Sequence, residues 1–174
     1  REAHLAAAQG HVEQALKINP NYGRGHIGRA NLLYDQGDLY GALQAYATAA
    51  ALTQQPPDAL VGVKADMGSG NVNLAQLIGH PIGEPCVDET RRLADQGLRH
   101  YGAVVAAFEA GGDIDPRLHE MALAAHYSRG KLHVLCGEEE AAAAELRAAL
   151  ALAPAPPLET EIRALLATLD REES

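Results

Sequence analysis

The chain has one Phe, no Trp and only 4% aromatic residues, so bulky rings cannot dominate its core. The β-branched residues that favour strands are also sparse, which argues against a sheet. Its two cysteines, Cys86 and Cys136, stand fifty positions apart without CxxC spacing. That excludes a disulfide-rich scaffold, and the pair reads as two reduced structural thiols, the state expected in the cytoplasm. Basic residues number 14 against 23 acidic ones, and the net charge of −9 gives nucleic acid no general attraction. No apolar run approaches the roughly 20 residues that cross a bilayer, so no membrane partner is expected. The chain begins at Arg1 without a Met and reads as a piece of a longer protein.

What is abundant is alanine, within a 47% hydrophobic composition otherwise rich in helix formers. The fold class expected is all-α, with helices packed closely through small residues. Three stretches share one pattern, "AAQGHVEQALKINP" from Ala7, "GALQAYATAAALTQ" from Gly41 and "AAAAELRAALALAP" from Ala141. A small residue is followed by a larger apolar one four places on and by Ala seven places on: Ala8, Val12, Ala15; Ala42, Tyr46, Ala49; Ala142, Leu146, Ala149. Pro20 and Pro154 close two of them, while Gln54 holds that place in the other and Pro56 follows it. Upstream, Ala30 and Gly130 lie twelve residues before Ala42 and Ala142, with Gly37 and Gly137 marking the turns between.

This arrangement resembles the tetratricopeptide repeat, a helical hairpin with a 34-residue period and the pattern W-x2-L-G-x2-Y, A-x3-F, P. His26, Arg29, Ala30 and Leu33 stand at the first four places of one repeat, followed by Ala42 and Tyr46. His126, Arg129, Gly130 and His133 stand there in another, followed by Ala142, Leu146 and Pro154. The resemblance implies an α-α superhelix of helical hairpins in a single domain over 1–174. Residues 1–20 would be the outer helix of a truncated repeat, with repeats at 21–56 and 115–156. The span 57–114 reads as an enlarged, irregular central repeat, its inner segment running from Pro57 to about Ile78. "HPIGEP" forms its loop, Asp88 to about Ala110 its outer helix, and "GGDIDP" the break before the next repeat. A capping helix at 157–171 would carry Leu158, Ile162, Leu165, Leu166 and Leu169 on one face.

Candidate chemistry is thin. His119, His126 and His133 recur every seven residues, but two occupy packing places of the repeat, so no metal is assigned. "MGSGNVN" from Met67 lacks the Lys of a phosphate-binding loop and reads as a bend. The glutamates of "GEEEAAAAEL" suit a helix start without any ligand. No catalytic residue and no cofactor is expected. The informative set lies on the inner helices, where Arg24, Ile27, Asn31 and Tyr34 form a stripe beside the packing set, and Tyr127 and Lys131 hold matching places later. In tetratricopeptide proteins that stripe lines the concave groove. The resemblance therefore implies a module that binds a protein or peptide segment. The alternatives are the substrate-recognition arm of a larger enzyme, such as one resembling the O-linked N-acetylglucosamine transferases, or a scaffold assembling as a homo-oligomer.

Overall fold

The computed structural model describes residues 2–52, 59–111 and 115–172. Among these there are eight helices and no strand: α1 (Glu2–Ile18), α2 (Gly23–Asp35), α3 (Leu39–Ala51), α4 (Ala59–Gln76), α5 (Asp88–Gly111), α6 (Pro116–Leu135), α7 (Glu139–Ala151) and α8 (Pro156–Glu172). Gln54, Pro56, the expected inner start at Pro57, and positions 112–114 of the GGDIDP break lie outside the described residues. The chain divides into two compact units, Arg1–Val72 and Asn73–Ser174. Within each, helices adjacent in sequence pack on one another: α1 on α2 and α2 on α3 in the first, α5 on α6, α6 on α7 and α7 on α8 in the second.

The α2–α3 and α6–α7 hairpins are built alike. Each inner helix ends at a left-handed glycine, Gly37 (φ 82°) or Gly137 (φ 69°), a backbone state that costs a side-chain-bearing residue energy. The next amide reaches back across the turn, Asp38 N–H to the Leu33 carbonyl and Glu138 N–H to the His133 carbonyl, both at 2.9 Å. Ala42, Ala49, Ala142, Leu146 and Ala149 are all 0% exposed. Small residues are required where the paired helices cross, because a Cβ on Gly130 would stand 2.8 Å from the Leu146 side chain. In α1 the matching pattern is looser, and Ala8 is exposed while Val12 and Ala15 are half-buried.

The core of the first unit gathers Ile27, Ala30, Ala42, Tyr46 and Ala49 with Val61, Ala65 and Val72 of α4. The expected bend at "MGSGNVN" is not there; it lies inside the continuous helix α4. Its Gly68 is a packing device, since a Cβ at that position would meet the Tyr46 ring at 2.2 Å. In the second unit, Ala142, Ala143, Leu146 and Ala149 join Ile162 and Leu169 of α8, with Leu158, Leu165 and Leu166 packed at the margin. The amphipathic face read from the tail thus covers α7, burying apolar surface that would otherwise meet water.

The reading of two reduced thiols is overturned. Cys86 and Cys136 form a disulfide, their Cα atoms 4.8 Å apart, and both residues are 3% exposed. With both cysteines bonded, no reduced thiol points to the cytoplasm. No described helix is long and apolar enough to cross a membrane.

Candidate functional site

The disulfide belongs to a clasp that fixes the loop between α4 and α5. Cys86 lies just before α5 and Cys136 caps the end of α6, so the bond ties this loop to the α6–α7 turn. Beside it the Gly83 amide donates to the Leu135 carbonyl at 3.2 Å, and the two backbones approach so closely that a Cβ on Gly137 would lie 2.4 Å from the Gly83 oxygen. Arg91 Nε donates to the Cys86 carbonyl at 3.2 Å, while its Nη1 pairs with Glu138 at 2.6 Å. The other Glu138 oxygen accepts from His133 Nδ1, also at 2.6 Å.

Burial alone would raise the pKa of Glu138, but the hydrogen bonds from His133 and Arg91 outweigh it and hold the carboxyl below its usual 4.5. A depressed folded-state value means that the carboxylate contributes stability above the unfolded value of 4.5, lost as pH falls through the lowered folded value. Wild type is therefore expected to lose more of its denaturant midpoint between neutral and acid pH than Glu138→Gln does. Equal losses in a urea titration across that range would remove Glu138 from the account.

The clasp positions one wall of a groove in the second unit. Its volume is about 210 Å³, and its lining is Leu74 near the end of α4, Ile82 in the clasped loop, Val134 and Leu135 of α6 and Leu165 of α8, with Tyr127, Lys131 and Glu161 as polar members. Ile82 is 78% exposed, an apolar side chain kept in water by a loop that the disulfide anchors. Tyr127 donates its hydroxyl to Glu161 of α8. Burial first, and then the bond and charge of Glu161, push the Tyr127 phenol well above its usual 10.0, so it remains a protonated donor. The Lys131 ammonium sits 5.2 Å from the centre of the Tyr127 ring, a cation-π contact, and pairs with no described carboxylate.

Of the residues singled out from the sequence, Tyr127 and Lys131 are brought together here. The others lie on α2 in the first unit. Arg24 is exposed and Tyr34 is half-buried against the core. Asn31 is exposed, and its Oδ1 accepts from the Tyr46 hydroxyl at 2.6 Å, so its acceptor is committed to a tertiary bond. Ile27 is 9% exposed and packed in the core, which removes it from any open groove. The stripe assigned to one face of α2 is wider than a solvent-facing strip because both α3 and α4 supply residues to the cluster around Ile27.

Glu161 and Ile82 were not foreseen. For Glu161 a signal existed: it follows Tyr127 by one 34-residue period, so reading α8 as another inner helix would have set the two side by side. For Ile82 there was none, since its place depends on the disulfide.

His126 and His133, the two expected at packing places, are hydrogen-bonded as well on side chains 16% and 13% exposed, and with His119 each meets a different acceptor. His119 Nε2 donates to the Leu152 carbonyl at 2.9 Å and its ring meets Phe108 edge-on at 5.7 Å. His126 Nδ1 donates to Glu145 at 2.7 Å, and Arg129 grips the other oxygen of that carboxylate at 2.8 Å. Nowhere among the described residues do three His, Cys, Asp or Glu side chains gather as a metal site would need. No protein-family model matches this chain, and no curated protein matches it.

Proposed function

We propose that the chain is a tetratricopeptide-like interaction module that holds a protein segment, with the groove on α6 and α8 as its principal contact and no catalysis of its own. The observation that carries this reading is the composition of that groove. Apolar walls from Val134, Leu165 and Ile82 suit an aliphatic side chain, while Lys131 and Tyr127 offer donors at its edge. In the first unit, Arg24, Asn31 and Tyr34 of α2 would offer contacts of their own, Asn31 through its amide N–H group. The Cys86–Cys136 bond supports residence in an oxidising compartment rather than the cytoplasm.

Selection from a displayed library of random peptides tests the reading. Wild type should enrich sequences that share an aliphatic residue near an acidic one. The double substitution Lys131→Glu with Ile82→Ser removes two exposed contacts worth about 1 kcal/mol each, so it should weaken the selected peptide roughly tenfold to thirtyfold. Helical circular dichroism should not change. Equal binding by the variant, or no enrichment by wild type, would contradict the proposal.

A further inference from the structure

The two like hairpins differ at one place where the difference leaves an opening. Positions 26, 29 and 45 in α2–α3 correspond to 126, 129 and 145 in α6–α7, a register fixed by the paired turn bonds at Asp38 and Glu138 and by the buried alanines Ala42 and Ala142. In the later hairpin, His126 Nδ1 and Arg129 Nη2 take the two oxygens of Glu145 at 2.7 and 2.8 Å, on side chains no more than 25% exposed. In the earlier hairpin the same two donors persist as His26 and Arg29, but position 45 is alanine. A pocket of about 290 Å³ stands there, lined by His26, Arg29, Leu33, Gln44, Ala45 and Thr48.

The Arg29 guanidinium and the His26 ring border this opening without the carboxylate that position 145 supplies to their counterparts. His26 Nε2 lies 2.8 Å from the Pro20 carbonyl, which can only accept, so Nε2 carries the proton. Nδ1, the atom whose counterpart meets Glu145, has no described partner. Arg29 makes no ion pair among the described residues, although Glu13 and Lys17 of α1 line the neighbouring cleft with it. Asp38 also borders the pocket, but its Oδ1 accepts the Gly41 amide at 2.9 Å. Glu138 stands at the equivalent place in the later hairpin, where Arg91 and His133 take its two oxygens, whereas Asp38 is bonded as the cap of α3.

We propose that this pocket binds a carboxylate supplied by another molecule, with the Arg29 guanidinium taking one oxygen and His26 Nδ1, after gaining a proton from solvent, taking the other. The site is separate from the groove of the second unit and does not depend on what that groove holds. A carboxylate can come from an acidic side chain or from a chain terminus.

Nuclear magnetic resonance of the His26 ring and the Arg29 Nε–H group distinguishes the two sources, using N-acetylglutamate amide for the first, N-acetylalanine for the second and N-acetylglutamine amide as the uncharged control. At least one acid should produce saturable shifts at both residues, the one that binds more tightly naming the source, and the control should produce none. Arg29→Gln should weaken that acid about tenfold. Ala45→Glu should restore the internal pair, shift both resonances before any ligand is added and abolish binding of the acid. Saturable shifts absent with both acids, or acid binding unchanged by Ala45→Glu or by Arg29→Gln, would overturn the assignment.

Discussion

Replacing Cys86 and Cys136 together by alanine is expected to lower the stability of the folded chain by about 4 kcal/mol. The bonded residues are 50 apart in sequence, and a loop of that size closed by a covalent bond restricts the unfolded ensemble more than it changes the native one. At this chain length the loss corresponds to a fall in melting temperature on the order of 10 °C. Alanine is the informative replacement because both positions are 3% exposed, and a serine hydroxyl there would add the separate cost of a buried polar group. Wild type treated with a dithiol reductant should move toward the double variant. Alkylation without reductant should leave wild type unmodified, and with reductant should modify both cysteines. Free thiols in the untreated protein, or coincident melts for wild type and variant, would show that the bond does not staple the fold.

Gly68→Ala is expected to destabilise the first unit by about 3 kcal/mol, an unusually large effect for the addition of one methyl group. The added Cβ would fall 2.2 Å from Tyr46 Cζ and 2.3 Å from Cε1, against the ring itself rather than beside a movable chain end. The ring has little freedom to retreat, being 4% exposed with its hydroxyl bonded to Asn31 at 2.6 Å. Helix propensity acts in the opposite direction by about 1 kcal/mol, and at Gly102 of α5, where a Cβ meets nothing within 4 Å, it acts alone. Gly102→Ala should therefore stabilise the chain while Gly68→Ala weakens it.

A spectroscopic signature separates displacement of Tyr46 from general loosening. Burial, and after it the charges of Tyr34 and Asp35, push its phenol up to about 12. In the Gly68→Ala variant one tyrosine should titrate closer to the usual 10.0, seen as ultraviolet absorbance appearing at lower pH. Because the folded value is raised, wild type keeps this contribution to stability below pH 10.0 and loses it as pH rises toward 12. An alkaline titration identical in the two proteins would place Tyr46 elsewhere.

The helices were legible because their signals are local or periodic. Ala42, Tyr46 and Ala49 repeat at intervals that only a helix turns to one side, and Gly37 with Gly137 announced both turns. The same logic failed wherever one residue answers to another far along the chain. "MGSGNVN" looks like a break because glycine lowers helix propensity locally, yet Gly68 is small on account of a ring twenty-two positions earlier. The cysteines have no motif, and only the packing of α5 on α6 brings them to bonding distance. His126 and Arg129 depart from the apolar pattern of the repeat, and the reason, Glu145 across the hairpin, appears only once the pair of helices is assembled. Of the candidate groove, Tyr127 and Lys131 could be read from helical spacing on α6, whereas Ile82 depends on a clasped loop and Ile27 was lost to the core.

Site-specific photocrosslinking tests the central claim, that the groove on α6 and α8 holds the partner segment. A benzophenone side chain is placed at Ile82, on the groove wall, and separately at Ala144, exposed on α7 outside the groove. Each protein is then irradiated with the peptide selected by wild type. The account predicts a covalent adduct from position 82 and none from 144. An adduct from 144 with none from 82 would contradict it and move the binding face to the outer helices.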